Sequence, residues 1–261
     1  MGEAVCAKSL VCELVSNSRI NDDIFALHFI WDGPAPKAGQ FFMVKPLRGS
    51  VFLPRPISLC EYNEANRSIK FLIAKRGTGT NEITQLNTGD KVQLTGPLGN
   101  TWSDFLPENG KVALIGGGVG IAPLLALVAE KPDYYYYFYA GFKKGFREKE
   151  EEDAMLGAAY KTKKLIVTAE NGRSALSGRI TDFLFEPESF GAVFGCGPEP
   201  MLKVLKTKCE KKNVPLFVSM ERRMACGIGA CLGCTVKTLK GNRRCCSEGA
   251  IFNAMELFPD E

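Results

Sequence analysis

The sequence predicts an α+β chain of several domains: an N-terminal antiparallel β-barrel, a parallel α/β unit and a C-terminal cysteine-rich subdomain. Three observations predict it. Up to about residue 104, short runs alternate apolar and polar residues and are separated by Gly, Pro, Asn and Asp, the spacing of a barrel or sandwich. From 111 to about 218, unbroken apolar runs end in glycine turns and lead into helical stretches, the pattern of a parallel sheet covered by helices. From about 219 regular periodicity is lost, and five of the ten cysteines fall between Cys226 and Cys246. The expected boundaries are therefore 1–104, 105–218 and 219–261.

In the first region the runs AKSLVCELVSN, DIFALHFIW, QFFMVKP, SIKFLIAK and KVQLTG each read as a strand, because period-2 alternation puts one face into a core. The single histidine, His28, lies in the second of these and reads as a strand residue facing solvent or a polar neighbour. In the second region KVALIGGG reads as a buried strand entering a turn, and IAPLLALVAE as the helix after it. YYYYFYAGF, KLIVTAE and GAVFGCG read as further strands, PEPMLKVLKTKCEKK as a helix, and the run Tyr134–Tyr137 as buried strand. The mixed charge run from Lys143 to Asp153 reads as a solvated helix face or a loop. TVKTLKGNRRC reads as a hairpin turning at Lys240, Gly241 and Asn242.

Composition narrows the function. The chain is 45% apolar and 24% charged with a net charge of +4 and no basic block interleaved with aromatics, so nucleic-acid binding is not expected. No run approaches the roughly 18 apolar residues of a membrane span, and the N-terminus has no basic region followed by an apolar one. A cytoplasmic protein is expected, and in a reducing compartment clustered cysteines point to metal or redox chemistry rather than disulfides. With one histidine, histidine-based catalysis is not expected.

Cys226, Cys231 and Cys234 form C-x4-C-x2-C, and Cys245 or Cys246 follows. This is the plant-type [2Fe–2S] ligand spacing. Gly227, Gly229 and Gly233 let the loop come close to a cluster with positive φ angles, so that backbone N–H groups face its sulfur. A zinc site is the alternative, but it favours paired C-x2-C knuckles and only one exists. Cys6, Cys12, Cys60, Cys196 and Cys209 are scattered and read as small buried apolar residues.

Two glycine turns follow apolar strands and open helices: IGGGVGIAP with Gly117, Gly118 and Gly120, and FGCGPEPML with Cys196 and Gly197. Two such turns at strand ends of one parallel sheet place a nucleotide cleft there. In RPISL, Arg55 offers a guanidinium to a pyrophosphate and Ser58 a hydroxyl to a flavin ring atom, with the backbone fixed by prolines such as Pro56. KRGTGTNEI adds an anion-binding turn at 77–80.

In this order RPISL, GTGT, GPLGN, GGGVGIAPL and GCGPEPML resemble the ferredoxin–NADP reductase superfamily. SMERRMACGIGACLGC followed by CCSEGAIF narrows the resemblance, over essentially the whole chain, to electron-transfer subunits of class 1B dihydroorotate dehydrogenases. The resemblance implies a barrel holding FAD at Arg55, Pro56, Ile57, Ser58, Leu72, Ile73, Ala74, Gly79 and Thr80. It implies an NAD site at Gly117, Gly118, Gly120, Cys196 and Gly197, and a [2Fe–2S] cluster on Cys226, Cys231, Cys234 and Cys246, with Cys246 chosen over Cys245 by the family pattern that follows it. It further implies an FMN-containing dihydroorotate dehydrogenase catalytic subunit as partner, in a heterotetramer of two subunits each, with electrons running from FMN through the cluster and FAD to NAD+ in pyrimidine biosynthesis. FAD must lie between the other two, because the cluster carries one electron and the nicotinamide accepts two. No acid–base residue is expected. The alternatives are the FAD and iron–sulfur subunit of a ferredoxin-dependent NADPH oxidoreductase or sulfide dehydrogenase, a redox-inactive zinc scaffold, and a self-sufficient reductase of small acceptors.

Overall fold

The computed structural model describes residues 7–108, 110–172, 176–183 and 186–257; Cys6 lies outside them. Alternation builds the barrel. β1 (Lys8–Arg19), β2 (Ile24–Ile30), β3 (Phe41–Pro46), β4 (Arg55–Asn63), β5 (Ser68–Ala74) and β6 (Lys91–Leu98) close in the order β1-β2-β5-β4-β3-β6, with every pairing antiparallel. In β1, Cys12 and Leu14 point inward while Val11, Glu13 and Val15 face out. The barrel interior is aromatic: Trp31 meets Phe42 edge-on at 4.9 Å, and Phe42 meets Phe71 at 5.6 Å. Such pairs add about 0.5–1.5 kcal/mol each beyond their buried area. A short helix, α1 (Thr78–Thr84), connects β5 to β6.

The second half is a seven-stranded sheet. β7 (Lys111–Gly117), α2 (Ala122–Glu130), β8 (Tyr135–Lys144), α3 (Lys149–Leu156), β9 (Lys164–Asn171), β10 (Leu176–Ser177), β11 (Ala192–Cys196), α4 (Glu199–Glu210) and β12 (Leu216–Ser219) follow in sequence. With a C-terminal strand, β15 (Ile251–Asn253), at one edge, the strand order is β10-β9-β8-β7-β11-β12-β15, parallel throughout except at that edge. Pro123 and Pro200 lie in the first turns of α2 and α4, where a missing N–H costs no hydrogen bond. Strand order reverses between β7 and β11, so the crevice at their C-terminal ends is the switch point where doubly wound sheets bind ligands.

Three expectations shift. The tyrosine run is only half buried: Tyr136 is enclosed, whereas Tyr135 is 56% exposed, because alternate residues of β8 face opposite sides. The charge run begins at the end of β8, continues through a connecting loop at 145–148 and ends on the exposed face of α3, so the helix and loop readings each hold for part of it. The hairpin β13 (Thr235–Thr238) and β14 (Gly241–Arg244) turns at Leu239 and Lys240, with Thr238 opposite Gly241, so Gly241 and Asn242 are already strand.

The cysteine segment continues through α5 (Cys245–Glu248) to β15 (Ile251–Asn253), which pairs antiparallel with β12 and thereby joins the sheet. One apolar core runs from the barrel through α2 to one face of the sheet. A second joins Phe41, Met43 and Leu98 of the barrel to Leu202, Val218, Cys234, Cys245, Cys246 and Phe252. The third segment is therefore packed against both of the others. Among the described residues no helix is long and apolar enough to cross a membrane.

Candidate flavin, nucleotide and iron–sulfur sites

β4 and β5 pair from Asn63↔Ser68 up to Leu59↔Phe71 and then part. Beyond that point Arg55–Ser58 keeps only β3 as neighbour, and Leu72–Ala74 only β2. The diverging backbones open one wall of a cleft of about 810 Å3, and the turn after β7 with the C-terminal ends of β11 and β12 forms the other. Arg55, Pro56, Ile57, Ser58, Leu72, Ile73, Ala74, Gly79 and Thr80 all line it, together with Gly120 and Cys196. Strand edges without a ladder partner present N–H and C=O groups to whatever fills the cleft.

The polar groups of this cleft have distinct duties. Arg55 donates through Nη1 to the carbonyls of Leu53 (2.8 Å) and Pro54 (3.4 Å) and makes no ion pair among the described residues. Its guanidinium lies over Gly79, where a Cβ would collide with it, so the arginine and the turn form one cradle. A planar cation with spare donors beside a glycine turn fits a pyrophosphate. The Thr80 hydroxyl is already engaged: it accepts from the N–H groups of Arg76 (2.8 Å) and Gly77 (3.2 Å) and so holds the turn in shape.

The two glycine turns prove to be each other's packing partners. A Cβ on Gly120 would lie 2.5 Å from the Cys196 carbonyl oxygen, one on Gly117 would meet Pro198, and one on Gly197 would meet the Gly117 backbone. Gly117 and Gly197 thus bring the loops together and do not line the cleft. Gly118 alone, at φ +58°, has open space where a side chain would go, and it lines a second cavity of about 300 Å3 with Arg76, Lys143, Lys144 and Arg147. Cys196 is fully enclosed, and burial raises its thiol far above the usual range, so it is a neutral group.

The four cysteines come together as two pairs. Cys226 Sγ accepts the Cys231 N–H at 3.4 Å, and Cys234 Sγ lies 3.3 Å from Cys246 Sγ, which also accepts the Gly229 N–H at 3.1 Å. Burial works against ionisation of Cys226, but the N–H groups of Cys231, Ile228 and Ala230 outweigh it and bring its pKa to about 6. Burial and the neighbouring Cys234 push Cys246 up to about 11, and bound iron is what ionises such a thiol. Two thiolates to each of two irons is the demand of a [2Fe–2S] cluster. Zinc needs its ligands around one point, and among the described residues no group of three or more Cys, His, Asp or Glu is arranged to hold a single ion. Cys245 is also buried, with its pKa raised to about 12 by burial, and it makes no hydrogen bond to the other sulfurs.

Gly227 (φ +72°) and Gly229 (φ +81°) are required where a side chain would strike Met43 and Ser247. The third expected glycine is displaced by one residue: Leu232 (φ +58°), not Gly233, takes the left-handed conformation. Arg244 buckles the loop to α5, donating to Glu248 at 2.8 Å and to the Gly229 carbonyl at 3.3 Å.

Several cleft residues carry no local signal. Arg76 lines it from the turn between β5 and α1, whereas Ser219, Met220, Glu221, Arg222, Arg223 and Met224 line it because β12 ends at the switch point and the chain then crosses the cleft toward the cysteines. Asn100 of GPLGN clamps β15, with Oδ1 accepting from Ile251 N (2.9 Å) and Nδ2 donating to Ile251 O (2.8 Å).

Residues 221–258 match the family model described as the iron–sulfur cluster binding domain of dihydroorotate dehydrogenase B. The chain is 37% identical to the dihydroorotate dehydrogenase B (NAD(+)) electron transfer subunit of Clostridium acetobutylicum over 96% of this chain and 97% of that one. It is 31% identical to the Listeria innocua subunit of the same name over 94% and 97%. Among solved structures, a chain of an NADH-dependent reduced ferredoxin-NADP oxidoreductase superposes with a TM-score of 0.80 at 22% identity, covering 95% of this chain and 90% of that one. A ferredoxin NADP+ reductase from Neisseria gonorrhoeae, solved with FAD and NADP, gives 0.63 at 16% identity over 78% and 91%. The structural likenesses establish a ferredoxin reductase-like fold, and the sequence identities go further: the chain belongs to the family of dihydroorotate dehydrogenase B (NAD(+)) electron transfer subunits.

Proposed function

We propose that this chain passes electrons from the FMN of a dihydroorotate dehydrogenase catalytic subunit, through a [2Fe–2S] cluster and FAD, to NAD+. One observation carries the reading. Met224 lines the large cleft, and Cys226 is two residues further along the chain. Two residues span at most about 7 Å, so a flavin in the cleft and a cluster on the cysteines are near neighbours. Bound FAD would couple one-electron exchange with the cluster to two-electron exchange with nicotinamide.

The chain's own residues supply binding and orientation. Arg55 and the turn at Gly79 and Thr80 would hold the pyrophosphate. The parted strand edges at Pro56, Ile57, Ser58 and Leu72, Ile73, Ala74 would hold the ring system. Gly118, Gly120 and Cys196 would border the NAD site, with Gly117 and Gly197 setting the spacing of its two loops. Cys226 and Cys231 would ligate one iron, and Cys234 and Cys246 the other. The three units 1–104, 105–218 and 219–261 would then carry FAD, NAD and the cluster in turn. Ile228 (65% exposed) and Leu232 (61%) are exposed apolar residues of the cysteine loop itself and support docking of the catalytic subunit there; the assembly would be a heterotetramer of two subunits each.

The test is co-purification with the candidate FMN subunit, followed by NAD+ reduction on adding dihydroorotate. Turnover should vanish in Cys246→Ser together with the cluster's visible absorbance, while Cys245→Ser keeps both. A yellow-brown complex that never reduces NAD+ from dihydroorotate would reject the pyrimidine assignment and favour the ferredoxin-linked reading, which the 0.80 superposition supports at the level of fold.

A further inference from the structure

The segment between β3 and β4 is exposed yet held in one place. Among the described residues, 48–54 make no backbone hydrogen bond to another backbone group, and Phe52 is 83% exposed, so neither a ladder nor a core anchors the loop. Its tether is a carboxylate. Glu82, one turn along α1 from Gly79 and near enough for the Arg55 charge to help lower its pKa, accepts at Oε1 from Ser50 N (3.0 Å) and Ser50 Oγ (2.5 Å), and the Val51 N–H points to the same carboxylate. Its Oε2 is buried against Gly49, where a Cβ would sit 2.5 Å away. Three residues on, the Leu53 carbonyl takes the Arg55 Nη1 at 2.8 Å, and the Arg55 guanidinium returns to α1 above Gly79.

These contacts form a closed ring that leaves α1 at Glu82 and returns to it at Gly79. A long flexible side chain pays rotamer entropy to hold one geometry, and that cost falls when its acceptor is fixed beforehand. We propose that Glu82 is a positioning residue for flavin binding: by pinning 50–51 it fixes the Leu53 carbonyl, which aims the Arg55 guanidinium at the pyrophosphate of FAD. The inference rests on reading the large cleft as the FAD site.

The test is a double-mutant cycle on FAD affinity, measured by flavin fluorescence on the full chain with its cluster in place. Glu82→Ala is expected to raise the FAD dissociation constant about tenfold, as loss of charge-assisted hydrogen bonds implies, and Glu82→Gln less. In an Arg55→Ala background, Glu82→Ala should change affinity less than twofold, because there is no guanidinium left to aim. If Glu82→Ala does not yield folded protein, Ser50→Ala removes one donor and enters the same cycle with a roughly threefold effect. An unchanged affinity in Glu82→Ala, or the same loss with and without Arg55, overturns the proposal. If wild type fails to bind FAD, or Arg55→Ala binds it as wild type does, the reading of the cleft itself fails.

Discussion

Gly120 and Gly118 are two residues apart in one turn, and the structure assigns them opposite sensitivities. A Cβ on Gly120 would lie 2.5 Å from the Cys196 carbonyl oxygen, 2.8 Å from its carbon and 3.0 Å from Gly197 Cα. Ordinary contact begins at 3.4 Å, so the loops must separate by about 0.9 Å. All three obstacles are backbone at the end of β11, which is paired on one side with β7 and on the other with β12, so no side chain can swing away. Overpacking costs about 1–3 kcal/mol, and an immovable backbone puts Gly120→Ala near the upper end. At roughly 2–4 °C per kcal/mol for a chain approaching this size, the melting temperature should fall by at least 6 °C or so. Gly118→Ala meets no atom and suffers only the left-handed φ of +58°, about 1 kcal/mol and a drop of roughly 2–4 °C. Paired thermal unfolding curves with the cofactors bound decide it. A Gly120→Ala protein that melts within about 1 °C of wild type, or a Gly118→Ala protein that falls as far, would refute the argument that the two turns are packed on one another.

Three further outcomes are expected. Asn100→Ala leaves the buried Ile251 N–H and C=O without partners, at about 1–3 kcal/mol for each such group; hydrogen exchange at 250–253 should accelerate more than in the barrel strands, and uniform acceleration would count against a local clamp. Burial, aided by Lys70, lowers the His28 pKa below 6.5. The unfolded chain therefore takes up this proton at a higher pH than the fold does, so stability should decline as pH falls from about 6.5 through the folded value and be untouched above that window. His28→Gln should flatten that decline, and an unchanged pH slope of the urea midpoint would reject it. Removing iron with a chelator should expose Cys226 first to a thiol reagent at pH 7, since its pKa of about 6 contrasts with about 11 for Cys246; preferential labelling of Cys246 would contradict the assigned N–H contacts.

Features that depend only on neighbouring residues were readable from the chain alone. Alternation in AKSLVCELVSN and unbroken apolarity in KVALIGGG each fix a strand's environment within a few residues, so the barrel and the parallel sheet were legible. The C-x4-C-x2-C spacing was legible because a loop that wraps a cluster must supply its ligands at short intervals. Tertiary structure decided everything that depends on residues distant in the chain. That β4 and β5 part after Leu59↔Phe71 to open the cleft is set by barrel closure and by no motif. That Gly120 serves packing while Gly118 faces a cavity is set by where Cys196 and Pro198 arrive from nearly 80 residues away. Asn100 clamps a strand 151 residues further on, and Arg222, Arg223 and Met224 line the cleft only because β12 ends at the switch point. Such approaches leave no periodicity behind, because a turn's composition records the backbone angles it must adopt and not the partner it will meet.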